Sequence, residues 1–243
     1  MSRVQSAVEI EILRISLIKR LPAAIFPYGN TLFITVIGTA LSMVLTTIGA
    51  FVLSRRELPG HTAMTVFVVF TMLFHAGMVP FYLTIKMTGM LNMLWAPILP
   101  FAISTYNLVI MRNFFQGIPN ALFEAAQLDG ASYIGYFFRI LLPVSIPSIA
   151  TITLFYAVGY WNAYFWSIIL VTDRAKYPIQ AILRQILMSS EFNTMMYDDA
   201  MQNMPSEMLK DAMIVITAVP IICVYPFVQR YFVKGIMTGA IKE

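Results

Sequence analysis

Charge is scarce in this chain: Asp, Glu, Lys and Arg make up 12% of its 243 residues, against about 25% in soluble domains. Five windows contain none of the four, from Leu21 to Ser54, Thr62 to Ile85, Met87 to Met111, Ile140 to Thr172 and Ala212 to Gln229. A single cysteine, Cys223, excludes an intramolecular disulfide and reads as a small buried apolar residue. The two histidines, His61 and His75, stand apart from ligand-spaced acids or cysteine, which argues against a metal site. His75 falls where a buried ring satisfied by a neighbouring carbonyl is expected. None of the six lysines precedes Ser or Thr, so the phosphate-cradling loop of an ATPase is absent and the chain is expected to bind no cofactor. No cluster of acid, base and nucleophile supports an enzyme, and no basic patch supports nucleic-acid binding. A removable signal peptide is not expected, because the chain does not open on a basic, short-apolar, small-residue pattern.

What the chain has is apolar surface, 59% of residues, above the 45 to 50% or so of soluble proteins. Roughly 20 apolar residues form a helix that crosses a bilayer. Open sheet is excluded in lipid, since unpaired backbone groups there cost several kcal/mol each. The predicted class is therefore all-α, a polytopic helical membrane protein with five visible spans. They are expected near Thr31 to Leu53, Thr62 onward with a break around "AGMVP", Leu91 to Met111, Ser145 to Val171, and Met213 to Tyr231. Gly77 and Pro80 cause that break, one by backbone freedom and the other by removing a donor. The piece after it, "FYLTIKMTGM", is short enough to lie along the outer interface. The segment from Asp173 to Asp211 is the only long polar stretch, read as an extramembrane excursion or a loosely packed loop. Residues 1–29 form an N-terminal segment and 30–243 one domain, with no internal repeat.

Basic residues orient such a chain, because cytoplasmic loops carry the excess of Lys and Arg. If the stretch from Arg112 to Arg139 is cytoplasmic, Arg55, Arg56, Arg230, Lys234 and Lys242 fall on the same side. Lys86, Arg174, Lys176, Arg184 and Lys210 are then outside, thinly spread through longer sequence. This parity places the N-terminus outside with Arg3, Arg14, Lys19 and Arg20, and leads to the expectation of a further span before Thr31 that this chain lacks.

One stretch interrupts the apolar pattern, residues 117–143, containing "EAAQLDGASYIGYFFRILLP". Pro119 suits a first helical turn and Gly130 the position just past a helix end. A helix over 119–129 is about 16 Å long, too short to span. Ala121, Ala125 and Ala126 give it a low-profile surface beside Glu124, Gln127 and Leu128, a shape that fits a partner's groove. Ser132 is an N-cap candidate for a second, aromatic-striped helix ending at Pro143. Residue physics alone leaves a second reading open, an interfacial amphipathic hairpin with Glu124 and Asp129 solvated.

The spacing of Glu124, Ala125 and Ala126, then Gly130, then Ile140, Leu142 and Pro143 resembles the EAA loop of bacterial ABC-importer permeases. The flanks "ALFEAAQLDGAS" and "FRILLPVSIPSI" are similar to the carbohydrate-uptake, MalG-type branch, and "WNAYFWSIILVTDRAKYPIQAILRQIL" and "YPFVQRYFVKGIMTGAIKE" to its LplC-like group. The resemblance covers about residues 30 to 243. It implies a type I, MetI-like transmembrane domain that catalyses nothing itself. It implies a second, non-identical permease of MalF type, a cytoplasmic ATPase dimer that uses ATP and Mg, and an extracytoplasmic sugar-binding protein. By position, the ATPase-coupling role falls on Glu124, Ala125, Ala126, Asp129 and Gly130. Arg139 and Pro143 either hold the loop to the spans or, for Arg139, serve as an inside-positive anchor. Lys234 to Lys242 is a second candidate for approaching the ATPase.

For a substrate pathway the candidates are Asn107, Trp161 and Asn162, since aromatic faces stack on sugars and amides bond hydroxyls. The same residues also serve as glue between transmembrane helices. Alternatives to a sugar importer are a permease of this architecture for another solute and an ion-coupled secondary transporter. The latter needs intramembrane ionisable residues, which the five windows lack.

Overall fold

The computed structural model describes residues 2–74, 76–196, 211, 213–215 and 217–223, with side chains described outside 2–25 and 189–196. Among these residues all regular structure is helical. His75 and the tail from Lys234 to Lys242, both singled out by sequence, lie outside the described residues, as does Arg230.

Helix α1 (Ser2–Ser54) is the spine. Its segment Phe26–Ser54 is 29 residues long and apolar enough to cross a membrane unaided. At about 1.5 Å per residue that is about 43 Å, more than the roughly 30 Å hydrocarbon core. Helices α2 (His61–Leu73) and α3 (Met78–Met87) form a pair bent by 113° at Gly77, whose φ is 79°. This is the expected break in the second span. Among its own residues α2 buries none.

The third span departs from expectation. An irregular stretch with a 3-10 turn at Leu99–Phe101 precedes α4 (Thr105–Gln116), which runs past Arg112. Pro97 and Pro100 lack the backbone donors a helix needs, and Asn92 adopts φ 60°. Arg112 does not end the helix because its Nε donates to the Leu53 carbonyl at 3.1 Å, capping α1. His61 Nε2 meets the same carbonyl at 3.0 Å and is therefore its donor.

Helices α5 (Asn120–Leu128) and α6 (Tyr133–Tyr136) form the hairpin, followed by a π-turn at Phe137–Leu141 and α7 (Leu142–Val144). The π register has a local cause. Pro143 in an α-helix would press its ring on the carbonyl four residues back, and widening the preceding turn removes that clash, so Leu142 N–H bonds Phe137 O. The chain then bends by 80° into α8 (Ile146–Trp161). The expected fourth span is thus also broken, since a turn at Asn162 separates α8 from α9 (Phe165–Leu170). Helix α10 (Ile179–Met196) occupies the start of the polar excursion and packs on α1, with Tyr177, Ile179 and Ala181 buried; it is not a loose loop. In α11 (Met213–Cys223) Met213 and Thr217 are buried, while Cys223 is exposed, against the expectation of a buried thiol, because it lies a turn and more beyond those packed positions.

The core lies where α1 meets α8 and α4, around Ile34, Met111, Leu141 and Ile152. One face of α1 carries Ser42 and Thr46 one turn apart, and these hydroxyls meet Tyr160 at 2.9 Å and Tyr156 at 2.7 Å. Gly38 allows the closest approach, for a Cβ there would sit 2.9 Å from the Tyr160 ring. Tyr156 Oη also accepts the Ser104 N–H at 2.9 Å, tying the start of α4 into the seam. Tyr156→Phe orphans that donor and is expected to destabilise the chain by about 1 kcal/mol. A thermal melt of the detergent-solubilised protein against wild type checks this.

At the other end of α1, Thr31 Oγ1 accepts the Ile179 N–H at 2.8 Å, and Asn30 Nδ2 donates to Ala175 O at 2.7 Å. Asn92 joins this clasp, receiving Asp173 N–H on Oδ1 and Lys176 Nζ on its carbonyl. The excursion after Asp173 therefore leaves from the end opposite the α5 hairpin.

Candidate functional site: a projecting helix and an aromatic cavity

Helix α5 divides sharply between two faces. Phe123 and Ala126 are buried, 5% and 4% exposed, while Glu124, Ala125, Gln127 and Asp129 are exposed and Leu128 is 90% exposed. The three-and-four spacing that groups Glu124, Gln127 and Leu128 places all three outward. Ala126 corrects the sequence reading: its small side chain seats α5 on its own domain and leaves Ala121 and Ala125 as the outward alanines. Gly130 ends the helix at φ 79°, a left-handed conformation that Gly adopts without a Cβ penalty. Its N–H bonds Gln127 O at 3.0 Å, and the next N–H, of Ala131, bonds Ala126 O at 2.9 Å. Ser132 caps α6 by accepting the Gly135 N–H at 3.2 Å, as its position predicts.

Arg139 is exposed and makes no ion pair among the described residues, and Pro143, also exposed, shapes the π-turn. The cation under the hairpin is Arg55. Sequence position marked it only as a basic flank of the first span, yet it is 8% exposed with its guanidinium 3.9 Å from the Phe123 ring centre. A basic residue two positions past a span, with aromatic residues in the loop it must face, was the available signal.

The second feature is a cavity of about 1050 Å³ bounded by α2, α3, α4, α8 and α9 and the irregular stretch before α4. Its wall includes Tyr106, Asn107, Phe155, Tyr156, Tyr160 and Trp166. The described lining carries no Asp, Glu, Lys or Arg. Of the three expected pathway residues only Asn107 reaches it. Trp161 is buried elsewhere, its Nε1 donating to Thr217 O at 3.2 Å, and its ring edges Tyr28. Asn162 closes the end of α8 by donating to Val158 O at 2.9 Å. In this structure the Trp161 Nε1 and Asn162 Nδ2 atoms serve helix packing and capping, and Asn162 itself is exposed. Among the described residues no group of acids, histidines and cysteine is placed to hold a metal.

A cavity without charge among its described lining residues and a short helix projecting from one end are the two features a function must use. The chain belongs to the family described as binding-protein-dependent transport system inner membrane component, whose profile matches residues 42–238. It is 49% identical over 214 residues to the polygalacturonan/rhamnogalacturonan transport system permease protein YtcP of Bacillus subtilis, covering 87% of this chain and 75% of that protein. Protein LplC of the same organism is 45% identical over 223 residues, covering 91% and 75%. A solved chain, from a bacterial ABC transporter involved in the import of the acidic polysaccharide alginate, superposes with a TM-score of 0.76 at 29% identity. That match covers 95% of this chain and 97% of the other. The chain is thus an inner-membrane, non-catalytic component of an ABC import system, a class that works with an ATPase and a binding protein.

Proposed function

We propose that this chain forms half of the translocation channel of an ATP-driven importer of oligosaccharides and couples that channel to a cytoplasmic ATPase through α5. The observation that carries the coupling role is the division of α5, rooted through Phe123 and Ala126 and presenting Glu124, Ala125 and Leu128 outward. The outward face combines an acid, a small residue and a Leu that is 90% exposed, a mixed surface that a protein partner can cover. On this reading the α5 end is cytoplasmic and the chain crosses the membrane several times, partly through broken helices. Glu124 and Asp129 offer charge to the ATPase, Ala125 permits close approach, and Gly130 sets the angle of the helix. ATP and Mg act in the partner ATPase, and this chain binds no cofactor. The other half of the channel comes from a non-identical, MalF-type permease.

Sugar as cargo is supported by the relatives named for polygalacturonan and rhamnogalacturonan transport and for alginate import. It agrees with the cavity wall, where Tyr106, Phe155 and Trp166 offer rings to sugar C–H groups. Tyr106, 57% exposed on that wall, is the cleanest probe because its removal disturbs little packing. Tyr106→Ala is expected to lower uptake of labelled pectin-derived oligosaccharide about tenfold, equivalent to about 1.4 kcal/mol, with membrane level unchanged. Unchanged uptake in Tyr106→Ala excludes this wall from the sugar path.

A further inference from the structure

Arg55 joins three elements at one point. Its guanidinium carbon lies 3.9 Å from the ring centre of Phe123 on α5, 4.8 Å from Tyr136 on α6, and 5.2 Å from Phe51 on α1 itself. The residue is 8% exposed, its Nε has no hydrogen-bond partner, and among the described residues no carboxylate pairs with it. Aromatic faces therefore take the place of a counter-ion, as a planar, weakly hydrated guanidinium permits and an ammonium does less well. The neighbouring Arg56 is exposed, so burial is particular to Arg55 and not a property of the basic flank.

Arg55 stands one residue beyond the end of α1, the helix that packs on α4 and α8 and so on the cavity wall. Phe123 is the root of α5 and also meets Tyr133 at 5.3 Å and Tyr136 at 5.0 Å. A displacement of α5 must therefore press on Arg55, and Arg55 is continuous with α1. Beside it Phe51 meets Phe137 at 5.0 Å, steadying the same joint from the π-turn.

We propose that Arg55 is the positioning residue that transmits movement of α5 to α1. This rests on the reading of α5 as the ATPase-facing helix. It predicts a defect in coupling, distinct from a defect in folding: the subunit inserts and retains the ATPase, while turnover no longer answers to the loaded binding protein.

The test uses the complete importer in proteoliposomes, with ATP hydrolysis and uptake measured in parallel. In Arg55→Ala, the stimulation of ATPase by loaded binding protein and the uptake are each expected to fall about tenfold, with ATPase still co-purifying. Arg55→Lys, which keeps the charge but loses the planar face, is expected to fall about threefold, and Arg139→Ala less than about twofold. Arg55→Ala within twofold of wild type on both measures overturns the proposal. If Arg55→Ala does not accumulate, Phe123→Leu removes the ring from the other side, and full coupling in that variant overturns it equally. Benzophenone maleimide at Leu128→Cys, with Cys223→Ser, distinguishes the role of α5 from that of Arg55. No ATPase adduct in the otherwise wild-type importer overturns the coupling role of α5 and this inference with it. An adduct together with a fully coupled Arg55→Ala overturns the Arg55 inference alone.

Discussion

Gly130→Pro is expected to leave the subunit in the membrane and to abolish uptake, by about 100-fold or more. Proline fixes φ near −65°, whereas Gly130 sits at 79°, and proline removes the N–H that bonds Gln127 O. Proline cannot reach that φ, so the turn must rearrange, and about 2.7 kcal/mol falling on the docked position of α5 is a factor of about 100. Because Gly130 is exposed and a Cβ there would meet nothing within 4 Å, the effect comes from backbone geometry and not from packing. Gly130→Ala, strained only by its Cβ in the left-handed region, is expected to be milder, at about 1 kcal/mol. Glu124→Lys reverses the outward charge without altering the backbone and compounds the loss in a double variant. Uptake in cells, normalised to membrane content by immunoblot, measures all of these, and ATPase-dependent uptake at the wild-type rate in Glu124→Lys, Gly130→Pro sinks the coupling assignment.

The second large effect belongs to the α1 and α8 seam. A Cβ at Gly38 would approach three atoms of the Tyr160 ring to 2.9 Å, and Gly38→Val adds two further carbons to that conflict. Overpacking of this kind costs about 1 to 3 kcal/mol in a closed core. Here it also threatens the Tyr160 hydroxyl, which meets Ser42 at 2.9 Å and Phe101 O at 3.2 Å. Since this joint fixes the irregular stretch behind the cavity, Gly38→Val is expected to lower both the melting temperature of the purified subunit and the yield of assembled importer. The expected shift is about 2 to 4 °C per kcal/mol for a chain of this size. Gly38→Ala paired with Tyr160→Leu, which shrinks the opposing ring, is expected to recover part of the loss; no recovery places the fault elsewhere.

The helical class and the hairpin were legible because each rests on short-range chemistry. Uncharged windows require helices in lipid, and Pro119, Gly130 and Ser132 each mark a helix end by its own backbone or hydroxyl. The broken spans were less legible. Pro97 and Pro100 lie inside an uncharged window, and hydropathy, which counts side chains, is blind to the donors they remove. Asn162 and Trp161 show a related limit at the site: both have chemistry suited to a sugar, but the backbone carbonyls their side chains bond, across a turn and on a neighbouring helix, are set by the fold. Tyr106 and Trp166 line the cavity instead because of the side on which α4 and α9 face it, a tertiary fact. Arg55 was hidden for a related reason. A basic residue after a span ordinarily anchors in headgroups, and only the return of Phe123 and Tyr136 over the end of α1 puts it under cover.

The coupling role stands or falls on which face of α5 meets the ATPase. Single cysteines at Phe123, Glu124, Ala125, Ala126, Gln127 and Leu128, each with Cys223→Ser, labelled with a short photo-cross-linker in membranes containing the ATPase, read that face directly. Adducts that change with ATP at 124, 125, 127 and 128 and are absent at 123 and 126 are predicted. Labelling of this helix only from outside the cell, with no ATPase adduct at any of the six positions, would contradict the account.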